Sequence, residues 1–524
     1  MRKLLTNGLV LVATVALGLV MAEAATRIAD DLPVFETDLP PSYGGGLGRD
    51  TTPEHLDKVA RAEGVPREWF FVRPPPLPNR HAVPEQWKTL NQVMVEWSRK
   101  TGSPFRPLDM FKDWNAGFVG NPCEKAFFAN LPVGLSVFEP IQGDSNPPYR
   151  YPINATTPEG LVTNEFGWRG PPVQFARSPR TIRIVFVGAS TVANPQTFAY
   201  SMPEWVGHWL NLWAAARRPD IRIEVMNAAR ESLNSTSIEA VVRQEVAPAR
   251  PDLVIYSEGG NQFELTSIVR NMPTAETLAH PRTVDGLTGW LRAASRYSAL
   301  ARRVQSAVGL AGLAEGAREL PKPDYEIQWP KGLDERDPDL AYPDLPLSLN
   351  VIQHDLDRIR ADLAAVDSEF AITSFIWAVK DGMIVDPIRN KVLWEDLNVR
   401  RFPYRYRDLE RLATFQNRLL AKYAATNGLP FIDVAGRMPF DADLFSDAVH
   451  ETEPGGQLKA WTILQQLVPM IEQRLANGTW PKPLPVPPMG DVHPAFAKKP
   501  WHIPVDCKVA SQPAGDTKAS SVKP

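Results

Sequence analysis

Ser190, Asp447 and His450 are the residues of this 524-residue chain whose types can combine into a nucleophile, an orienting acid and a base. A serine hydroxyl is a poor nucleophile until a neighbouring base takes its proton. His450 is the candidate base. Asp447, three residues earlier, can present its carboxylate to the same side, hold the imidazole in one tautomer and stabilise the imidazolium. Attack on an ester carbonyl creates an oxyanion, which needs fixed hydrogen-bond donors. The backbone N–H groups of Ser190 and Ala229 and the Asn261 amide are the candidate donors. Taken alone, Gly188-Ala189-Ser190 also describes an ordinary connecting turn, so the chemistry depends on what brings these residues together.

The elements that must do so are legible. Residues 181–191 read TIRIVFVGAST, a short β-branched apolar run that ends abruptly in small residues. This is the pattern of a strand buried on both faces of a parallel sheet. Ser201-Met202-Pro203-Glu204 follows with capping-box spacing and proline in the first turn. Further strands are expected at 221–227, 253–257, 370–376 and 430–434. They alternate with helices at 202–217, 237–246, 349–366, 407–427 and 455–476, which predicts a doubly wound α/β parallel sheet. Asn227-Ala228-Ala229 then follows the second strand, Gly259-Gly260-Asn261-Gln262 the third, and Asp447-Ala448-Val449-His450 lies beyond the fifth. Carboxyl ends of parallel strands share one edge, so residues distant in sequence can meet there.

This order of blocks resembles the SGNH hydrolases, the GDSL esterase/lipase family, over residues 164–476. The resemblance implies a flavodoxin-like sheet of about five strands with helices on both faces, and hydrolysis or transfer of acyl esters. By position, Ser190 would be nucleophile, His450 base and Asp447 its partner, with Asn261 and the backbone at Ala229 as oxyanion donors. Three positions depart from the family pattern. Ala189 stands where the name-giving aspartate usually is, Ala229 replaces a glycine, and Gln262 replaces an aspartate. The expected function is an exported serine esterase acting on a small-molecule or carbohydrate ester. The alternatives are an O-acetyltransferase on a polysaccharide, and a degenerate domain kept for binding.

Composition narrows the partners. With 57 Lys+Arg against 60 Asp+Glu and no basic stripe, no nucleic-acid surface is expected. Eight histidines without metal-ligand spacing, and no CxxC, give no reason to expect a metal or another cofactor. Arg2 and Lys3 precede an uncharged run, residues 4–22, and Ala22-Glu23-Ala24 offers a small-residue cleavage site. Residues 1–28 therefore read as a signal peptide or a membrane anchor, and either one exports the chain. Residues 29–150 read as an N-terminal accessory region or wrap with a helix at 84–101, and 151–478 as the hydrolase-like domain. An insertion at 271–350 carries a helix at 287–313, and 479–524 form a proline-rich tail. Cys123 and Cys507 either pair in an oxidising compartment or remain free thiols.

Other features have structural readings. Trp205, Trp209 and Trp213 have the spacing of one helix face packed on the sheet. RRFPYRYR at 400–407 reads as a solvated, loosely structured face opening the next helix. Glu258 and Glu264 flank the asparagine block and either line the cleft or face solvent.

Overall fold

The computed structural model describes residues 2–29, 53–77, 162–194, 198–272, 319–385 and 390–484, with short pieces at 132–154 and 294–303. Its central strand is β1 (Thr181–Gly188), buried at every residue. Around it stand β2 (Arg222–Asn227), β3 (Leu253–Ser257), β4 (Glu369–Thr373) and the two-residue edge strand β5 (Phe431–Ile432). Their order is β5-β4-β3-β1-β2, and every pairing is parallel. The chain runs from β1 outward to β2, then crosses back to β3. The β1/β3 boundary is thus the switch point, where the crevice beyond the carboxyl ends opens.

The helices are α1 (Arg2–Ala29), α2 (Pro53–Lys58), the single turn α3 (Ser190–Ala193), α4 (Met202–Arg217), α5 (Ser235–Val241), α6 (Leu349–Ala364), α7 (Lys391–Glu395), α8 (Tyr406–Thr426) and α9 (Glu453–Ala476). Helices cover both faces, as right-handed crossovers between parallel strands require: α4 and α9 pack together on one, and α5, α6 and α8 on the other. On the first face Trp209 meets Trp461 edge-to-face at 5.0 Å, and Trp205, Trp209 and Trp213 are all buried. On the second, Ser235 Oγ donates to Asp355 (2.6 Å) and Tyr423 Oη to Asp357 (2.7 Å). The Ser201/Glu204 capping box opens α4 as its sequence predicts.

Three differences have local causes. β4 stops at Thr373 rather than 376, because Asn417 takes the Phe375 backbone: its Oδ1 accepts the N–H and its Nδ2 donates to the carbonyl, both at 2.7 Å. Arg183 lies buried inside the apolar run of β1, where Glu224, the Asp252 region and the carbonyls of Gln174, Phe175 and Ala249 satisfy it. The 400–407 stretch is not loosely structured. Arg400 and Arg401 pair with Asp396, Arg405 pairs with Asp408, and Tyr406 is fully buried.

Residues 53–77 lie against α4 and α9, with Leu56, Val59, Val65 and Phe70 in the main core. Ala62 N–H donates to Gln465, and Trp209 Nε1–H to the Trp69 carbonyl, both at 2.7 Å. At the end of α1, Glu23 accepts hydrogen bonds from Ser298 Oγ and from the N–H groups of Ala299 and Leu300, at 2.7–3.0 Å. Arg27 pairs with Glu23 (2.6 Å) and donates to the Tyr297 carbonyl (2.7 Å). Among the described residues no helix is long and apolar enough to cross a membrane. The helix expected at 84–101, most of that at 287–313, both cysteines and the tail from 485 lie outside the described residues.

Candidate active site

β1 brings Gly188 against Ser257 of β3, so closely that a Cβ there would run into the Ser257 carbonyl oxygen. Only glycine allows this approach. The chain then turns through Ala189 into α3, which Asn194 closes in the left-handed region at φ 40°. Ser190 is the first residue of this turn and is 8% exposed. Its N–H has no intrahelical acceptor, because the first N–H groups of a helix never do.

One helical turn also leaves its carbonyls without partners, and here each is supplied with one. Ser190 O accepts from Asn194 N–H (2.9 Å) and Val192 O from Asn227 Nδ2 (2.9 Å). Thr191 O accepts from Lys459 Nζ at 3.3 Å. Arg169 Nη1 reaches the carbonyls of Ala193 and Asn194. Three side chains from three separate segments therefore clamp the serine turn.

The histidine sits on a loop closed on itself. Ser446 donates to the His450 carbonyl through N–H (2.8 Å) and Oγ (3.1 Å), and Thr452 N–H donates to Leu444 O (2.9 Å). Asp447 Oδ1 accepts the N–H groups of Val449 (2.9 Å) and His450 (2.8 Å). Its Oδ2 lies 2.8 Å from His450 Nδ1, and His450 Nε2 lies 2.7 Å from Ser190 Oγ. With the proton on Nδ1, every bond in this line has one donor and one acceptor, and Nε2 is left to accept the serine proton.

Electrostatics follow from these contacts. Burial disfavours the imidazolium, but the Asp447 carboxylate, with Glu451 and Asp396 beyond it, outweighs burial and holds the His450 pKa above its ordinary 6.5. Burial likewise opposes the Asp447 charge. His450 and the two backbone N–H groups overcome it, leaving that carboxyl well below its ordinary range.

The third block is organised by a residue whose part the sequence left open. Glu258 is 3% exposed, and its Oε1 accepts the N–H groups of Gly260 and Asn261, each at 2.7 Å. Burial raises its pKa to about 6, against the lowering effect of those N–H groups and of His450. Glu264 faces solvent and bonds Thr266. Asn261 is exposed. Its Nδ2 donates to the Leu233 carbonyl at 2.8 Å, which uses one amide hydrogen and leaves the other.

The three departures have physical accounts. Ala189 is wholly buried, a costly position for an unpaired carboxylate. Ala229 is not among the positive-φ residues, so alanine is unstrained there. Its N–H, however, donates to Asn227 Oδ1 at 3.2 Å, so of the three expected oxyanion donors this one is engaged. Gln262 Oε1 accepts Ser235 N–H (2.7 Å) and so helps cap α5. Sequence reading gave no role to Lys459, Glu451, Asn227 or Arg169. A lone lysine amid the apolar residues of α9 was the available signal for the first, and Glu451, in the loop before that helix, gave none.

No protein-family model matches this chain, and no curated protein matches it. Among solved structures it is similar to a GDSL-like lipase from Bacteroides thetaiotaomicron VPI-5482, at 12% identity and a TM-score of 0.25, over 56% of this chain and 88% of that one. It is also similar to Axe2, an acetylxylan esterase from Geobacillus stearothermophilus, at 11% identity and a TM-score of 0.29, over 56% of this chain and 96% of that one.

Proposed function

We propose that this chain is a serine esterase of the SGNH type, with Ser190 as nucleophile, His450 as general base and Asp447 as its partner. The observation that carries the reading is the unbroken line Asp447 Oδ2–His450 Nδ1, His450 Nε2–Ser190 Oγ, at 2.8 and 2.7 Å. Ser190 Oγ attacks the ester carbonyl as its proton passes to Nε2, and Asp447 stabilises the imidazolium. The Ser190 N–H and the remaining Asn261 amide hydrogen are the oxyanion donors. Collapse of the tetrahedral intermediate breaks the ester C–O bond, and the departing alcohol takes the proton from His450. Water, activated by the same base, then hydrolyses the acyl-serine. The near-complete burial of Ser190 favours a short acyl group, and a carbohydrate or other small alcohol fits the exported location. Arg2 and Lys3 before an uncharged run support export.

The test is covalent. A fluorophosphonate should label Ser190 stoichiometrically, and Ser190→Ala should abolish both labelling and cleavage of aryl acetates. Folded protein that takes no label and cleaves no ester across several acyl lengths would overturn the esterase reading.

A further inference from the structure

Glu451 follows the base directly and Thr191 follows the nucleophile directly. One buried lysine touches both: Lys459 Nζ donates to Glu451 Oε1 at 2.8 Å and to the Thr191 carbonyl at 3.3 Å. Lys459 is 3% exposed and Glu451 1%. The second carboxylate oxygen, Glu451 Oε2, has no hydrogen-bond partner among the described residues. A buried ion pair with an unsatisfied oxygen is a poor stabilising device, since apolar residues of similar volume commonly do as well or better. Its location calls for another explanation. The serine turn and the histidine loop belong to elements 260 residues apart, and their only direct link within the triad is the serine–histidine hydrogen bond itself. Lys459 adds a second link one residue away on each side.

We propose that Lys459 and Glu451 are a positioning pair that holds the Ser190 turn and the His450 loop at reacting distance. The inference rests on the esterase reading for its kinetic consequences, but not for its geometric ones. Four carboxylates interact electrostatically with His450: Asp447 and Glu451 on its own loop, Asp396 from the segment after α7, and Glu258 from the third block. Lys459 is the cation bonded to Glu451, so removing one or the other charge should disturb the imidazole in opposite senses.

The experiment uses the full-length protein and three variants: Lys459→Met, Glu451→Gln and the double variant. Each is followed by thermal midpoint, by kcat and KM on an aryl acetate, and by NMR titration of the His450 ring. Lys459→Met leaves Glu451 uncompensated and should move the His450 titration to higher pH. Glu451→Gln removes a neighbouring negative charge and should move it to lower pH. The double variant should regain part of the thermal midpoint that Lys459→Met loses yet keep a kcat lowered about 10- to 100-fold, the scale of a small misplacement of reacting groups, with KM little changed. Recovery of kcat along with stability in the double variant would overturn the proposal, because the pair would then be packing only. Titrations that do not move, or move in the same direction, would also overturn it. Failure of the esterase reading registers elsewhere, as a parent protein that neither labels at Ser190 nor turns over, while the NMR shifts remain readable.

Discussion

His450 Nε2 stands 2.7 Å from Ser190 Oγ, although 260 residues separate them in the chain. The distance is set at both ends. The serine turn has its carbonyls held by Lys459, Asn227 and Arg169, and the histidine loop is folded around the Asp447 carboxylate.

That double use of Asp447 makes a specific prediction. Asn at 447 keeps an Oδ1 to accept the backbone N–H groups of Val449 and His450, so the loop should survive. It loses the charge that stabilises the imidazolium and fixes the tautomer. Asp447→Asn should lower kcat on the order of 10⁴-fold, with a thermal midpoint near that of the parent. A loss under tenfold would mean that the carboxylate is a loop organiser only.

Activity and stability should respond oppositely to pH. The base must be neutral to accept a proton, and the His450 pKa is raised above 6.5, so kcat should climb on a limb centred above pH 6.5. The same raised pKa contributes stability that is fully present below 6.5 and is lost as pH rises through the folded value. Glu258 adds in the same sense, because its pKa is raised from 4.5 to about 6 and its contribution fades across that window. Asp447 works the other way, contributing stability above 3.8 that is lost only in stronger acid. Rate profiles and thermal midpoints from pH 5 to 9 check this. A rate limb centred at or below 6.5 would contradict it.

Asn261 holds one amide hydrogen on Leu233 and has one to spare. If that hydrogen meets the oxyanion, Asn261→Ala should reduce kcat by roughly 10²–10³, with fluorophosphonate labelling slowed in parallel. An unchanged kcat would reduce Asn261 to a tie between the second and third blocks.

Gly188→Ala tests the fold beneath the site. The added methyl meets the Ser257 carbonyl and a Val192 methyl, so β1 and β3 must separate or the serine turn must shift. Overpacking of this kind costs about 1–3 kcal/mol, and urea denaturation should register it together with loss of labelling at Ser190. A variant of parental stability and reactivity would show that the strands have room there.

The sheet was legible because its strands are apolar runs of the right length and its helices keep clean periodicity. Trp205, Trp209 and Trp213 are a case in point. That Ser190, Asp447 and His450 meet was legible because each ends or follows such an element. What stayed hidden is held by single polar residues inside apolar segments. Arg183 in β1 and Lys459 in α9 interrupt periodicity without breaking it, and nothing in one sequence says which distant partner satisfies them. Glu258 was ambiguous for the same reason, since a carboxylate bonded to its own following N–H groups reads in sequence like any loop acid. β4 ended early because of Asn417, a residue on another element.

The Glu23 contacts carry a consequence for maturation. Peptidase processing after Ala24 would remove the carboxylate that receives Ser298, Ala299 and Leu300. The processed and unprocessed forms of this 58.3 kDa chain would then differ in how residues 298–300 are moored. Mass spectrometry of the N-terminal peptide of protein isolated from its own cells distinguishes the two forms. Limited proteolysis around residues 298–300, compared between the parent and Glu23→Gln, then reads whether the clasp matters.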